Sequence, residues 1–349
     1  MGSSTIVKHT ECWKINPEDP EPELLAAAGQ ALRDGKLVAF PTETVYGLGA
    51  NALDRQAVAG IFEAKGRPAT NPLIVHLAEV EQVHTVAGEW STVAAQLAAR
   101  FWPGPLTLIV PKLEVVPDLV TAGGPTVGVR IPAHPVARAL IAAAQVPVAA
   151  PSANRFTQVS PTTARHVLKG LSGRIDLVLD GGPTHVGIES TVLDVSVSPP
   201  VLWRSGMISQ VELEQHIGPI VLPYQQHTTA NVLPSPGQHR KHYAPKADVH
   251  LVPYADRVAL RHTLERLLPD SPHGVPSIGY IAFEPAPLEH PAMMVKVMPA
   301  RPRSFARELY AVFHAMEDAG VAHLIIEDVP PESTWNGVRD RLHRAAVHS

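Results

Sequence analysis

Short apolar runs alternate with alanine- and leucine-rich segments from about residue 20 to 218, and this alternation restricts the fold more than any other feature. Runs such as Lys36–Phe40 and Leu106–Val110 are typical of buried strands, whereas Glu23–Arg33 and Ser91–Arg100 are typical of helices. Strands and helices mixed at these intervals predict one compact α/β unit. Further strands are predicted at Asn71–Leu77, Thr126–Pro132, Val146–Ala150, Asp176–Leu179 and Thr191–Val195.

A stretch punctuated by prolines follows, and after it a second pattern begins. Its order of strands and helices reads βαββαβα, which is consistent with a small doubly wound domain. The sequence therefore predicts an N-terminal α/β domain at 20–218, a linker at 219–247 and a C-terminal α/β domain at 248–349.

Composition excludes several classes of protein. Hydrophobic residues make up 45% of the 349 residues, and the net charge is −4, which argues against a nucleic-acid binder held by bulk charge. The single cysteine, Cys12, excludes an internal disulfide and a cysteine-based zinc site, and the 18 histidines form no H-E-x-x-H pair. Because no signal core or membrane span is visible, we expect a cytoplasmic protein.

The segment Pro41–Asn51 lies directly after a predicted strand and begins with two threonines and a glutamate. The carboxyl ends of strands in open α/β sheets are where ligands bind. Within this segment, Gly47–Ala52 fits the dinucleotide pattern G-x-G-x-x-A, but the acid near the required distance, Glu63, lies in a helical pattern. We therefore interpret these glycines as a turn.

Polar side chains recur at other strand ends and element breaks. Each one alone has an ordinary structural explanation as a helix cap, a turn or a satisfied strand residue. Together, four cations in an acidic protein indicate a polyanionic ligand, and the neighbouring hydroxyl and amide groups indicate a small polar co-substrate. The set comprises Thr42, Thr44, Lys65, Arg67, Arg130, Ser152, Asn154, Ser190 and Arg204.

The sequence has neither a P-loop nor a nucleophilic serine in a G-x-S-x-G turn. Any nucleotide would then be bound by arginine and lysine side chains. The best class on these residues is phosphoryl or nucleotidyl transfer, with magnesium bridging the phosphates.

The motifs also occur in the order and spacing of the YrdC-like family, which this chain resembles over about residues 20–210. Downstream, Ser235–Gly237, His242–Pro245 and Asp340–Leu342 resemble the linker and C-terminal domain of its longer, two-domain form. The motifs of the N-terminal region are Pro41–Gly49, Lys65–Pro68, Asn71–Leu73, His76, Gly128–Pro132, Pro151–Asn154, Glu189–Val192 and Arg204–Gly206.

The resemblance implies a twisted mixed sheet with a concave basic face, and a smaller Rossmann-like domain after a proline-rich linker. It also implies L-threonylcarbamoyladenylate synthase activity: L-threonine, bicarbonate and ATP with magnesium give threonylcarbamoyl-AMP and pyrophosphate. The product would serve the threonylcarbamoyladenosine modification of tRNA, with tRNA and a downstream transferase as possible transient partners.

The same resemblance implies residue roles at matching positions. The threonine pocket would comprise Thr44, His76, Arg130, Ser190 and the backbone near Ala150. The ATP site would comprise Lys65, Arg67, Asn71, Thr126, Ser152, Asn154, Ser160, Arg204, His242 and Tyr243. Of these, Lys65, Arg67 and Arg204 would be catalytic, His242 and Tyr243 would cover the nucleotide, and magnesium would be held by the ATP phosphates and by no side chain.

Two alternatives stay open at this point. A pure RNA-binding module would use the basic face for tRNA without ATP turnover and would bind in a salt-dependent way. A carbamoyl-transfer enzyme on the same fold would instead consume pre-made carbamoyl phosphate.

Overall fold

The computed structural model describes residues 8–223, 243–268 and 277–347, which form two compact units. The first unit comprises the described residues of Met1–Phe156, Pro161–His185 and Glu189–Gln238. The second comprises those of His239–Ser349 together with two short segments from earlier in the chain, Thr157–Ser160 and Val186–Ile188. The domain boundaries given above stay a prediction.

Ten strands of the first unit form one sheet in the order β1-β8-β2-β3-β7-β4-β6-β5-β9-β10. Parallel and antiparallel neighbours alternate irregularly, so the sheet is mixed, and the predicted fold class is confirmed. The strands are β1 (Glu11–Lys14), β2 (Val38–Phe40), β3 (Gly47–Asn51), β4 (Ile74–His76), β5 (Leu106–Pro111), β6 (Thr126–Arg130), β7 (Val148–Ala149), β8 (Leu177–Asp180), β9 (Thr191–Asp194) and β10 (Val201–Arg204).

The helices of this unit begin where the sequence supplies capping residues. Asp54 is the N-cap of α2, because its carboxylate accepts the backbone N–H groups of Gln56 and Ala57. The helices are α1 (Pro22–Arg33), α2 (Arg55–Lys65), α3 (Thr92–Phe101), α4 (Asp118–Thr121), α5 (Pro135–Ala144), α6 (Ala164–Leu171) and α7 (Gln210–Ile217), with a 3₁₀ helix at Val80–Thr85.

The two faces of the sheet differ. One face carries strand residues such as Leu48, Val75 and Leu108, which pack with apolar residues of α2 and α3 in one large core. On the other face, Phe40 and Val148 belong to a second core with α1 and α5. The part of this second face on β4, β5 and β6 carries polar side chains, as described below.

The second unit contains a four-stranded sheet in which every pair of neighbours is parallel, in the order β11-β14-β12-β13. This arrangement confirms the predicted Rossmann-like unit. Its strands are β11 (Asp248–Val252), β12 (Ile278–Ala282), β13 (Met293–Val297) and β14 (His323–Glu327). Its helices are α8 (Arg257–Leu267), α9 (Pro302–Asp318) and α10 (Asn336–Ala345), with a 3₁₀ helix at Ser333–Trp335.

One interpretation of the sequence was wrong. The glycines at Gly47 and Gly49 lie in β3 and not in a turn. Their missing side chains leave room for the ring of Phe40, since a Cβ atom on Gly49 would lie 2.8 Å from Phe40 Cε1.

Among the described residues, no helix combines the length and the apolar character needed to span a membrane.

Candidate functional site

His76 and Arg130 lie side by side at the ends of β4 and β6. The two strands are parallel, and these residues are register partners, so their side chains point to the same face of the sheet. Thr107 on β5 shares that face, because its neighbour Leu108 is the register partner of Val129. Three adjacent strands therefore place an imidazole, a guanidinium and a hydroxyl group in one row.

Arg130 is buried and connects three segments of the chain. Its Nε donates to the carbonyl of Gly104 at 3.1 Å, and its Nη1 donates to Thr44 Oγ1 at 3.1 Å. Its Nη2 lies 2.6 Å from Glu43 Oε1 as an ion pair. Thr44 and Glu43 belong to the loop between β2 and β3, so the guanidinium fixes this loop against the end of β6.

The loop itself is held in shape by Thr42. Its Oγ1 donates to the carbonyl of Val45 at 2.6 Å and lies 2.8 Å from Thr44 Oγ1. The same oxygen accepts the backbone N–H groups of Thr44 and Val45. Thr42 therefore acts as a turn-forming residue, and Thr44 presents its hydroxyl to Arg130.

Ser190 joins the row from the start of β9. Its Oγ lies 2.8 Å from Thr107 Oγ1 and accepts a hydrogen bond from Arg204 Nη2 at 3.0 Å. Arg204 Nε also donates to the Ser190 carbonyl at 2.9 Å. The structure thus brings together the predicted threonine-pocket residues Thr44, His76, Arg130 and Ser190, with Arg204 beside them.

His76 is uncharged at neutral pH. Burial, to which the positive charge of Arg130 adds, lowers its pKa to about 3. Its Nδ1 lies 3.3 Å from the carbonyl of Ile74. The backbone N–H of Ala150 donates to this same carbonyl at 2.9 Å. The backbone near Ala150, which the resemblance assigns to the threonine pocket, therefore lies beside β4.

Lys65 ends α2 and is fully buried. Its ammonium group donates to the carbonyls of Ser152 and Asn154, so it ties the end of the helix to the loop after β7. Burial lowers the pKa of Lys65 well below its ordinary value, and repulsion by Arg67 and Arg155 adds to this effect. The negative charge of a bound polyanion would act in the opposite direction and raise the pKa of Lys65.

Arg67 and Asn71 lie at the other end of β4. Arg67 Nε and Nη2 donate to the carbonyls of Asn71 and Pro72, at 3.1 and 2.8 Å. The side-chain amide of Asn71 is buried, and neither its nitrogen nor its oxygen has a hydrogen-bond partner. A fully buried amide without partners is rare, which makes it a candidate ligand contact.

Thr126 lies at the same end of the strands as Asn71. Ile74 is the register partner of Gly128 in the parallel pair of β4 and β6. Two residues before each of them, the same register places Thr126 opposite Pro72. Thr126 is half-buried, and four residues of extended strand place it roughly 13 Å from Arg130. The predicted ATP residues Lys65, Arg67, Asn71, Thr126, Ser152 and Asn154 therefore surround the start of β4 and β6, whereas the threonine-pocket residues surround their end.

Of the other four predicted ATP residues, Arg204 lies beside the threonine-pocket residues, as described above, and two belong to the second unit. Ser160 belongs to the second unit, where it is buried and its carbonyl oxygen lies 3.1 Å from His314 Nε2. Tyr243 also belongs to that unit; its buried ring stacks on Tyr310, and the guanidinium of Arg341 lies 5.1 Å from its centre. His242 lies outside the described residues.

The sequence reasoning did not select Glu43 and Thr107. Glu43 stands between two threonines after a strand, and this position is typical of a ligand site. An acidic side chain, however, does not fit a site that binds an anion. Thr107 lies within an apolar strand, where a threonine is ordinary. Only the strand register and side-chain distances place these two residues beside Arg130.

Within residues 8–223, 243–268 and 277–347, no group of three or more His, Cys, Asp or Glu side chains could hold a metal ion. The donors around Lys65 and Arg67 are cationic, which suits phosphate oxygens and not a divalent cation.

A mixed sheet with an imidazole, a guanidinium and a hydroxyl group in a row on one face, together with a parallel four-stranded unit, is the architecture expected of the two-domain YrdC-like class of proteins. Residues 30–206 match the family profile of Sua5, YciO and YrdC, described as "Telomere recombination". Residues 208–347 match the profile described as "Threonylcarbamoyl-AMP synthase, C-terminal domain". The chain belongs to the threonylcarbamoyl-AMP synthase family.

Relatives match along nearly the whole chain. The threonylcarbamoyl-AMP synthase of Pyrococcus abyssi is 43% identical over 342 residues, which cover 98% of this chain and 96% of the relative. That of Bacillus subtilis is 40% identical and covers 95% of each chain. The solved structure of P. abyssi Sua5 complexed with L-threonine superposes with a TM-score of 0.86 at 40% identity and covers 97% of both chains. These findings do not favour the alternative of a pure RNA-binding module.

Proposed function

We propose that this chain makes L-threonylcarbamoyl-AMP and pyrophosphate from L-threonine, bicarbonate and ATP, in the cytoplasm, for the modification of tRNA. The observation that carries the proposal is the row of His76, Arg130 and Thr107 with Thr44 and Ser190 at its sides. It combines one guanidinium with several hydroxyl groups, which suits the carboxylate and the hydroxyl group of a small amino acid. A relative of nearly equal length has been solved with L-threonine.

The second group of residues supports ATP as the co-substrate. Lys65 and Arg67 supply positive charge at the start of β4, Arg204 supplies it beside Ser190 at the other end, and Asn71 offers an unpartnered amide. In the proposed reaction the carbamate of threonine attacks the α-phosphorus of ATP, and pyrophosphate leaves roughly in line. The buried cations would stabilise the charge that develops on the leaving group, since fixed charges act more strongly away from water.

Magnesium would enter with ATP, bound to the phosphate oxygens, and would help to neutralise the leaving pyrophosphate. The chain's own contribution is to orient the two substrates. Arg130 would bind the amino-acid carboxylate, and neutral His76 beside it would line the pocket without repelling the substrate's ammonium group. Lys65 would keep the Ser152–Asn154 loop in place through its two carbonyl contacts.

The test is pyrophosphate release by the purified full chain with ATP and magnesium, compared with mixtures that omit threonine or bicarbonate. We expect release to require both, and mass spectrometry to detect threonylcarbamoyl adenylate. Release without either requirement, or none from a folded sample that binds ATP, would contradict the proposal.

A further inference from the structure

Glu43 is a buried carboxylate whose hydrogen-bonding capacity is unused. Its residue is 8% exposed, and neither of its carboxylate oxygens has a hydrogen-bond partner. Arg130 Nη2, 2.6 Å from Oε1, also makes no hydrogen bond, because its N–H is not directed along this contact. The two charges neutralise each other, but the Glu43 carboxylate oxygens and Arg130 Nη2 have no hydrogen-bond partners.

This arrangement is unusual, since buried polar atoms in folded proteins nearly always have hydrogen-bond partners. The other two nitrogens of the Arg130 guanidinium have partners: Nε donates to the Gly104 carbonyl, and Nη1 donates to Thr44 Oγ1. Nη2, which faces Glu43, has no hydrogen-bond partner. A donor without a partner, Arg130 Nη2, and an acceptor without a partner, Glu43 Oε1, therefore lie next to each other.

Arg130 is the cation in contact with Glu43. The charge of Glu43 also acts on the imidazole of His134, the N-cap of α5, whose Nδ1 accepts the backbone N–H of Val136. Burial lowers the pKa of His134 to about 4, although the charge of Glu43 acts in the opposite direction. His134 is thus neutral near pH 7, and Arg130 is the counter-ion of Glu43.

A free amino acid is a zwitterion, with a carboxylate and an ammonium group on one carbon atom. A guanidinium and a carboxylate that lie in contact, each with unused hydrogen-bonding capacity, are complementary to those two groups. We propose that Glu43 binds the α-ammonium group of the amino-acid substrate while Arg130 binds its carboxylate. This inference rests on the proposed function, because that function supplies threonine as the substrate.

The inference goes beyond the pocket that the sequence motifs predict. Those motifs assign hydroxyl, imidazole and guanidinium groups and the backbone near Ala150, none of which carries the negative charge that would balance an ammonium group. Glu43 gives the pocket a selective contact for the amine, the atom on which the carbamate forms. The site would then distinguish an amino acid from a hydroxy acid of the same shape.

The test compares L-threonine with (R)-3-hydroxybutanoate, which keeps the carboxylate and the hydroxyl group but has no amino group. Both affinities are measured by calorimetry on the full chain. We expect wild-type protein to prefer threonine by at least about 10-fold, as hydrogen bonds to charged groups are the stronger ones. Equal affinities would overturn the inference without any variant.

Variants then locate the contact. Glu43→Gln should weaken threonine binding about 10- to 100-fold and leave hydroxybutanoate within about threefold, so that the preference disappears. Glu43→Asp keeps the charge and should retain part of the preference. Glu63→Gln, at an exposed position of α2, is the matched control and should change neither affinity.

The outcomes separate this inference from the proposed function. If Glu43→Gln lowers the affinities for threonine and hydroxybutanoate equally, the role of Glu43 is structural and the inference is wrong. If wild-type protein releases pyrophosphate only with threonine but Glu43→Gln keeps the preference, the inference fails alone. If wild-type protein neither binds threonine nor needs it for pyrophosphate release, the proposed function fails with it.

Discussion

Each of the two units buries a glutamate near a strand end, and the two glutamates have different environments. Glu327 ends β14 in the four-stranded sheet, and its carboxylate accepts the backbone N–H groups of Ala255 and Phe283, at 2.9 and 3.0 Å. Glu43 follows β2 in the ten-stranded sheet and accepts no hydrogen bond. Burial of a charge alone therefore does not identify a binding site, and the binding role proposed for Glu43 rests on its unused hydrogen-bonding capacity.

The histidines differ in the same way. His76 in the first unit is buried beside a cation, and its pKa is lowered to about 3, with burial as the main cause. His343 in the second unit contacts Asp328 at 2.7 Å, and this hydrogen bond raises its pKa. Glu327 and His343 of the second unit have hydrogen-bond partners within it, whereas the side-chain polar atoms of Glu43 and Asn71 have none.

The largest effect expected from this comparison is on activity. Arg67→Ala should lower threonine-dependent pyrophosphate release about 100- to 1000-fold, because it removes a cation from the proposed leaving-group site. Arg257→Ala in the second unit is the matched control, since Arg257 also donates to a backbone carbonyl, that of Pro285. We expect the control to stay within about twofold.

Circular dichroism of both variants checks that they fold. Wild-type rates in a folded Arg67→Ala protein would remove Arg67 from the catalytic set. A large loss in Arg257→Ala would show that the contrast between the two units is wrong.

A smaller effect is expected on stability in the second unit. Glu327→Ala leaves two buried N–H groups without their acceptor, so the free energy of unfolding should fall by about 2–4 kcal/mol. Urea titration measures this change. At a temperature where the variant is folded, its preference for threonine over hydroxybutanoate should equal that of wild type. A lost preference would contradict the contrast between a structural Glu327 and a ligand-binding Glu43.

The smallest effect is on the pH dependence of stability. The unfolded chain protonates His76 below about pH 6.5, but the folded protein does so only near pH 3, so stability falls as the pH decreases through this window. Between pH 6.5 and 5 the loss is about 1.5 kcal/mol. Urea titrations at several pH values should show that His76→Gln removes it.

His343→Gln is the control with the opposite sign. A raised pKa stabilises the folded state below pH 6.5, and this contribution is lost as the pH rises through the folded-state pKa. Its removal should therefore reduce stability at low pH. An unchanged pH profile in His76→Gln would mean that the imidazole is not held neutral.

Much of the fold follows from local patterns in the sequence. The apolar pattern of the sequence predicts a helix at Pro135–Ala144 and a strand at His323–Glu327, and the structure has both elements with these bounds. Other elements differ by a few residues at their ends. The strand β1 could not be predicted, since it forms only by pairing with a strand more than 160 residues away.

The sequence by itself determined the two α/β patterns and the residue types of the site: cations and hydroxyl groups at strand ends. Only the tertiary structure decided which of them meet. The parallel register of β4 and β6 aligns His76 with Arg130, and the loop after β2 brings Glu43 to the same guanidinium. Strand pairing joins residues that are distant in the chain, so no local pattern could specify that a buried carboxylate and a buried guanidinium would meet with their hydrogen bonds unfilled.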